Sequence, residues 1–359
     1  MRALFFMTAW MVSGLLCAAP GSTEKPYAPV TPGRALIFPQ DYGSHPKFRT
    51  EWWYVTGWLT TQQGEHLGFQ ITFFRTKPDI DPKNPSAFAP RQLLVAHCAM
   101  SDPKRGRLWQ DQRIRRAGLG LAEAAEGDTD VSIERWSLKH EGKGYVAKIA
   151  AEDFSFDLVL SETQAPLLNG DSGFSRKGPQ PEAASYYYSL PHLRVLGAVS
   201  RNGAASQVSG EAWFDHEWSS EYLDAQATGW DWIGINLNDG GALMAFQIRG
   251  NAAEKRWAGG TYRSADGKTK ILEPEDVDFR AGRTWVSPRT GIKYPVQWQV
   301  RAGGREFDLN PLLDDQENDT RLSTGAIYWE GAVQAFEHDA LAGRGYLELT
   351  GYGERLRLR

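Results

Sequence analysis

Cysteine is nearly absent: the 359-residue chain has two, Cys17 and Cys98. So few thiols cannot build a disulfide framework, and the fold must stand on buried apolar surface. Positive charge is not in excess either. Forty Lys and Arg against 44 Asp and Glu leave a net charge of −4, which offers no footprint for nucleic acid. The chain contains no His-Glu-x-x-His, no Cys-x-x-Cys and no Gly-x-Ser-x-Gly elbow. Its Asp239-Gly240-Gly241 is hairpin chemistry rather than a phosphate cradle. No segment after Leu16 approaches about 18 consecutive apolar residues, so no transmembrane helix is expected there.

The first residues read as a signal peptide over 1–19: Met1-Arg2, an apolar run from Ala3 to Leu16, then Cys17-Ala18-Ala19. A periplasmic or secreted protein is therefore expected. A lipid anchor at Cys17 is not, because Leu16 stands where a small residue is needed.

What the chain has in quantity is tryptophan, 14 in all. So many large rings suggest a barrel interior or a cleft that accepts a bulky apolar ligand. Residues 20–45, rich in proline, read as an extended lead-in. Short alternating runs follow, among them Glu51–Thr60, Leu67–Arg75, Leu93–Met100, Gly210–Trp218, Trp230–Leu237 and Gly345–Tyr352. Regularly spaced strands of this kind make a sandwich or a barrel. Only Leu108–Ala124 has a helical period, and a short helix is expected there.

An internal echo sets the domain count. Trp52-Trp53-Tyr54-Val55-Thr56-Gly57-Trp58-Leu59, followed by Gly68-Phe69-Gln70-Ile71, aligns with Trp230-Asp231-Trp232-Ile233-Gly234-Ile235-Asn236-Leu237, followed by Ala245-Phe246-Gln247-Ile248. Two domains are expected, over 46–218 and 225–356.

Val95-Ala96-His97-Cys98 and Gly170-Asp171-Ser172-Gly173 resemble the motifs of a serine protease. Phe174 replaces the glycine that such a loop needs, however, and His97 alternates with Val95 and Ala99 on a strand. The densest cluster of metal-ligand types is Asp215-His216-Glu217, but alternation sends the two carboxylates away from the imidazole, so no metal site is expected there. Ala212, Phe214, His216 and Trp218 share one face of that strand. His216 is then either a core histidine or a proton donor and acceptor set among aromatic rings.

At these residues the sequence resembles the carotenoid 1,2-hydratase (hydroxyneurosporene synthase) family and its secreted AttH-like relatives. The carriers are Glu51-Trp52-Trp53-Tyr54-Val55-Thr56-Gly57, Gly170–Gly178, Ser185-Tyr186-Tyr187-Tyr188-Ser189, Phe214-Asp215-His216-Glu217-Trp218 and Tyr328-Trp329-Glu330-Gly331. The resemblance implies an all-β fold of two lipocalin-like antiparallel barrels in tandem, and for the hydratases addition of water to a polyene double bond. It implies catalytic roles for His216 and Trp218, and a Tyr-x-Asp pair on a later strand. The corresponding strand here, Leu243–Ile248, has neither residue. AttH-like relatives accompany ABC-type export permeases, which makes such a permease a candidate partner.

Two functions are therefore expected: carriage or chaperoning of a hydrophobic polyene- or lipid-like molecule, or a hydratase-like enzyme acting on an unsaturated apolar chain. No cofactor is implied by either. In the enzyme His216 is the acid and base, Trp218 and Trp52 face a carbocation, and Asp231 or Glu51 is a reserve carboxylate. Trp52, Tyr54, Trp58, Tyr186, Tyr188, Phe214 and Trp218 are expected to line a pocket in or at the mouth of the first barrel, facing the second domain, with His216 in its wall.

Overall fold

The structure, a computed structural model, describes residues 27–356 apart from 82, 83, 87, 252 and 253. The signal-peptide segment and Cys17 lie outside the described residues. The molecule is all-β: it has no α-helix among the described residues, and the one short helical element named is the 3-10 turn Gln40–Tyr42.

The first sheet has thirteen strands and nearly closes into a barrel. Its strands are β1 (Thr50–Thr61), β2 (His66–Thr76), β3 (Leu93–Asp102), β4 (Arg107–Arg116), β5 (Ala122–Ala124), β6 (Asp130–Ile133) and β7 (Trp136–His140). They continue with β8 (Gly144–Ala150), β9 (Phe154–Ser161), β10 (Leu167–Leu168), β11 (Phe174–Arg176), β12 (Ala184–Arg201) and β13 (Ala204–Ser219). The order is β4-β3-β2-β1-β13-β12-β9-β8-β7-β6-β5, so the first strand pairs with the last. Every pairing along that path is antiparallel, as alternating apolar runs joined by tight turns require.

The second, ten-stranded sheet repeats the plan between Gly229 and Leu349. It opens with β14 (Gly229–Leu237) and β15 (Ala242–Arg249) and closes with β24 (Ala326–Glu337) and β25 (Ala340–Leu349). Here β14 again pairs with the final strand, β25.

The segment expected to hold a helix is strand instead. Leu108 to Arg116 belong to β4, which pairs along its whole length with β3, and Gly118 and Gly120 at positive φ turn the chain after it. β4 lies at an edge of the sheet, and Gln110 and Gln112 bind the backbone of Asp319 in the second sheet. Amide side chains at that contact blur the apolar alternation that marks the other strands.

Three cores result. Trp53, Val55, Phe69, Tyr188, Phe214 and their neighbours fill the first barrel, and Ile233, Ile235, Trp298, Trp329 and others fill the second. A third core joins the two through Tyr54, Trp58, Trp213, Trp232, Phe246 and Tyr346. It forms where the outward faces of β1 and β13 meet those of β14 and β25. Two glycines permit the approach: a Cβ on Gly68 would lie 2.6 Å from that of Ala332, and one on Gly234 would lie 2.5 Å from the Trp232 ring.

Candidate functional site

Strand parity separates the aromatic and ionisable residues onto two faces of one sheet. Glu51 and Trp53 on β1, Tyr186 and Tyr188 on β12, and Phe214, His216 and Trp218 on β13 point into the first barrel. Tyr54 and Trp58 on β1, Tyr187 on β12, and Trp213 on β13 point outward into the seam between the barrels, with Trp52 half-buried at its edge.

Inside the barrel, polar groups form one continuous chain. Glu51 Oε1 faces His45 Nδ1 at 2.6 Å and His216 Nε2 at 2.9 Å, while its Oε2 accepts from Arg75 Nε at 2.8 Å. His45 Nε2 meets Asp41 Oδ1 at 2.9 Å, and Arg34 holds the same oxygen at 2.7 Å. Tyr188 lies at 3.1 Å from His216 Nδ1. Burial works against charge on His45, but the carboxylates of Glu51 and Asp41 outweigh it and hold its pKa above the ordinary value. Burial likewise opposes the Glu51 carboxylate, yet Arg75 and His45 keep its pKa well below normal. For His216 burial wins, and its pKa is lowered. His216 is thus neutral, donating through Nε2 and accepting the Tyr188 hydroxyl proton at Nδ1.

His45, Glu51 and His216 bring their ligand-type atoms within 4.8 Å of one another. The charges already present do not suit a divalent ion: the guanidinium groups of Arg34 and Arg75 already stand against Asp41 and Glu51. The trio fits a proton-linked chain better. The lead-in completes it, because Tyr42 and Phe48 pack into the core and the His45 ring stacks on Trp218 at 3.8 Å. It closes that end of the barrel as a cap.

The seam carries a different chemistry. Asp215 accepts from Ser189 Oγ at 2.5 Å, Trp213 Nε1 at 2.7 Å and the Tyr187 hydroxyl at 2.7 Å. Burial pushes its carboxyl up to about 7 even so. Glu217 is paired with Lys177 at 2.8 Å, and burial still leaves its pKa raised. From the second barrel come Glu330 and Glu348, cross-strand neighbours on β24 and β25. Burial raises both, and for Glu330 the charge of Glu348 beside it adds to the effect. Glu348 Oε2 accepts from Trp230 Nε1 at 2.9 Å. Four carboxyl groups thus share an aromatic seam with the ammonium of Lys177, which lies over the rings of Tyr187, Tyr222 and Phe246. A medium of that kind disfavours the charged form of each carboxyl, and all four pKa values lie above the ordinary ones even though Glu217 has an ammonium beside it. Glu330 sits beside the Tyr54 and Tyr328 hydroxyls, while Thr56 Oγ1 and Gln70 Oε1 are buried there without a hydrogen-bond partner. Unmet groups of this kind mark where a bound molecule or water belongs.

The expected site residues therefore divide. Glu51, His216 and Trp218 come together with Tyr186, Tyr188 and Phe214, but within a packed interior, with both nitrogens of His216 engaged. Asp231 is remote from them, held in the second barrel by Arg249 Nε at 3.0 Å and the Tyr352 hydroxyl at 2.9 Å. Trp52, Tyr54 and Trp58 belong to the seam. The expected pocket wall needs correcting on this point: the second barrel packs on the outside of β1 and β13, where Trp213, Asp215 and Glu217 project, and His216 projects the other way. Sequence reasoning missed Lys177, Glu330 and Glu348, and took Asp215 and Glu217 only as pointing away from His216. The available signal was an outward face of β13 carrying Trp213 between two acids, which suits a covered surface better than a solvated one. His97 and Ser172 have separate partners: His97 faces Tyr328 and Ser323, whereas Ser172 reaches Asp171.

The model of the AttH-like family matches residues 29–352, nearly all of what the structure describes. The chain belongs to the AttH-like family. Its fold is shared with the crystal structure of an AttH-type protein from Nitrosomonas europaea, at 54% identity over 90% of this chain and 99% of that one, with a TM-score of 0.85. Kievitone hydratase from Nectria haematococca is similar in fold at 16% identity, covering 92% of this AttH-like chain and 98% of its own, with a TM-score of 0.66. CghA bound to Sch210972 is similar at 11% identity over 85% and 89% of the two chains, with a TM-score of 0.51. No curated protein matches the sequence.

Proposed function

We propose that this AttH-like protein is an acid–base enzyme that protonates a double bond of a largely apolar molecule, adding water across it or shifting it. The observation that carries the reading is the seam itself: carboxyl groups whose pKa values burial raises, set next to aromatic faces, with Glu330 beside the Tyr54 and Tyr328 hydroxyls. A protonated Glu330 delivers its proton to one alkene carbon. The electron-rich rings of Trp52, Tyr54 and Trp230 face the cation that forms on the other. Water adds to that carbon and gives up a proton to the carboxylate now on Glu330, beside its cross-strand neighbour Glu348. Alkene and water yield alcohol, and the dyad is restored. The fold shared with kievitone hydratase agrees with this reading, and the inner His216 network serves to hold the cap and the barrel together.

The test is deuterium uptake at carbon when unsaturated isoprenoids and fatty acids are incubated with the protein in heavy water. Glu330→Gln is expected to cut the rate by about 10²–10⁴-fold while leaving binding in place. Carriage of the same class of molecule is the second reading, favoured by a cleft of about 330 Å³ at the end of the seam. Binding without uptake of label into any substrate would select the carrier and end the enzyme reading.

A further inference from the structure

That cleft has walls from both barrels: Trp58 from β1, Trp213 from β13, Asn236 from β14, and Arg344 and Tyr346 from β25. Its volume, about 330 Å³, suits a small molecule or one end of a longer one. Other arginines of the second sheet have their partners: Arg263 binds Gln164 and the carbonyl of Ala165, and Arg305 pairs with Glu337 and Asp239. Arg344 differs. Its guanidinium lies over the Trp58 ring at 5.0 Å, no salt bridge is assigned to it, and its buried Nε has no hydrogen-bond partner. The one carboxylate lining the cleft, Glu211, is held by His192 at 2.6 Å.

We infer that the cleft is a binding site for the anionic end of the ligand, a carboxylate received by Arg344 between the rings of Trp58 and Trp213. An unpaired guanidinium in a half-buried aromatic cleft is matched by a planar anion that can accept two parallel N–H bonds. The rest of the seam then sets the ligand's reach. Arg344, Tyr346 and Glu348 alternate along β25 and share its seam face, as Trp58, Thr56 and Tyr54 do on β1. Four strand residues span about 13 Å, so the anion lies about that far from Glu348 and its partner Glu330. The ligand class is an unsaturated apolar acid whose double bond is separated from its carboxylate by a chain of that length. This inference rests on the reading of the seam as a site for an unsaturated apolar molecule.

The experiment compares the fluorescent polyene cis-parinaric acid with its methyl ester, titrated into the whole protein and into Arg344→Gln and Arg344→Lys. The acid is expected to bind at least about tenfold more tightly than the ester, Gln to erase that difference, and Lys to restore part of it. Equal binding of acid and ester overturns the anchor and leaves the apolar seam standing. A preference for the acid that survives in Arg344→Gln overturns the anchor too, placing the anion elsewhere. Binding of neither molecule would overturn the anchor and the seam reading together. Deuterium uptake, measured separately, decides only the chemistry.

Discussion

Glu51 is fully buried, and its two oxygens serve three side chains, His45, Arg75 and His216. Such a carboxylate is expensive to strip of its partners and equally costly to neutralise. Glu51→Gln would leave the Arg75 guanidinium, also fully buried, without its counter-charge. The expected loss is about 3–5 kcal/mol, read from urea unfolding. The sign with pH follows from the lowered pKa: the stabilisation is present above the ordinary value of 4.5 and is lost as pH falls through the folded value. The variant should therefore show a smaller acid-side loss of stability than the native protein. Equal acid sensitivity in both would mean that Glu51 is not the group that titrates. Asp231 with Arg249 repeats the arrangement in the second barrel, an acid and an arginine on one opening hairpin.

At the scale of elements, the lead-in is a cap whose hold depends on a few contacts. His45 links Asp41 to Glu51 and covers the Trp218 indole, which is buried in the barrel. His45→Ala should loosen residues 27–49, shift Trp218 emission to the red and open it to acrylamide. Unchanged quenching would show that the cap is held by Tyr42 and Phe48 alone. The strands themselves were legible from alternation: in β13 the set Phe214, His216 and Trp218 separates from Trp213, Asp215 and Glu217 as the period of two demands. Alternation names a face but not what covers it. A second barrel on the outward face, rather than solvent, is decided by contacts more than a hundred residues apart, such as Trp58 with Gly345. His45 and Asp41 were illegible for another reason. They lie in a proline-rich stretch without period, where sequence spacing carries no direction. In β4 the amides of Gln110 and Gln112 face the second sheet, and period alone misread a strand as a helix.

For the molecule as a whole, the two barrels meet at the strands that close them, β1 with β13 and β14 with β25, so the seam's integrity and its chemistry are one property. Trp230 and Trp232 of the second copy occupy the places that Trp52 and Tyr54 hold in the first, and Tyr54 meets Trp232 edge-on at 5.4 Å. Between these rings sit the acids whose pKa values burial raises, to about 7 for Asp215. A raised carboxyl works in the sense opposite to Glu51. The stability it confers is complete below its unfolded pKa and is lost as pH rises through the folded value. Ionising Asp215, Glu330 and Glu348 in turn crowds like charges into a seam whose ammonium, on Lys177, is already paired with Glu217. The thermal midpoint should fall between about pH 4, the ordinary carboxyl range, and about pH 8, just past the folded values of about 7 for Asp215 and Glu348, by the equivalent of about 1–2 kcal/mol for each carboxyl that ionises. Glu348→Gln removes one of those charges while keeping an oxygen for Trp230 Nε1, so it should flatten that fall and raise stability at the alkaline end. Scanning calorimetry across the range decides the matter. If the variant and the native protein lose stability in parallel over that range, the seam acids are already ionised, and the proton that the proposed chemistry needs is not there.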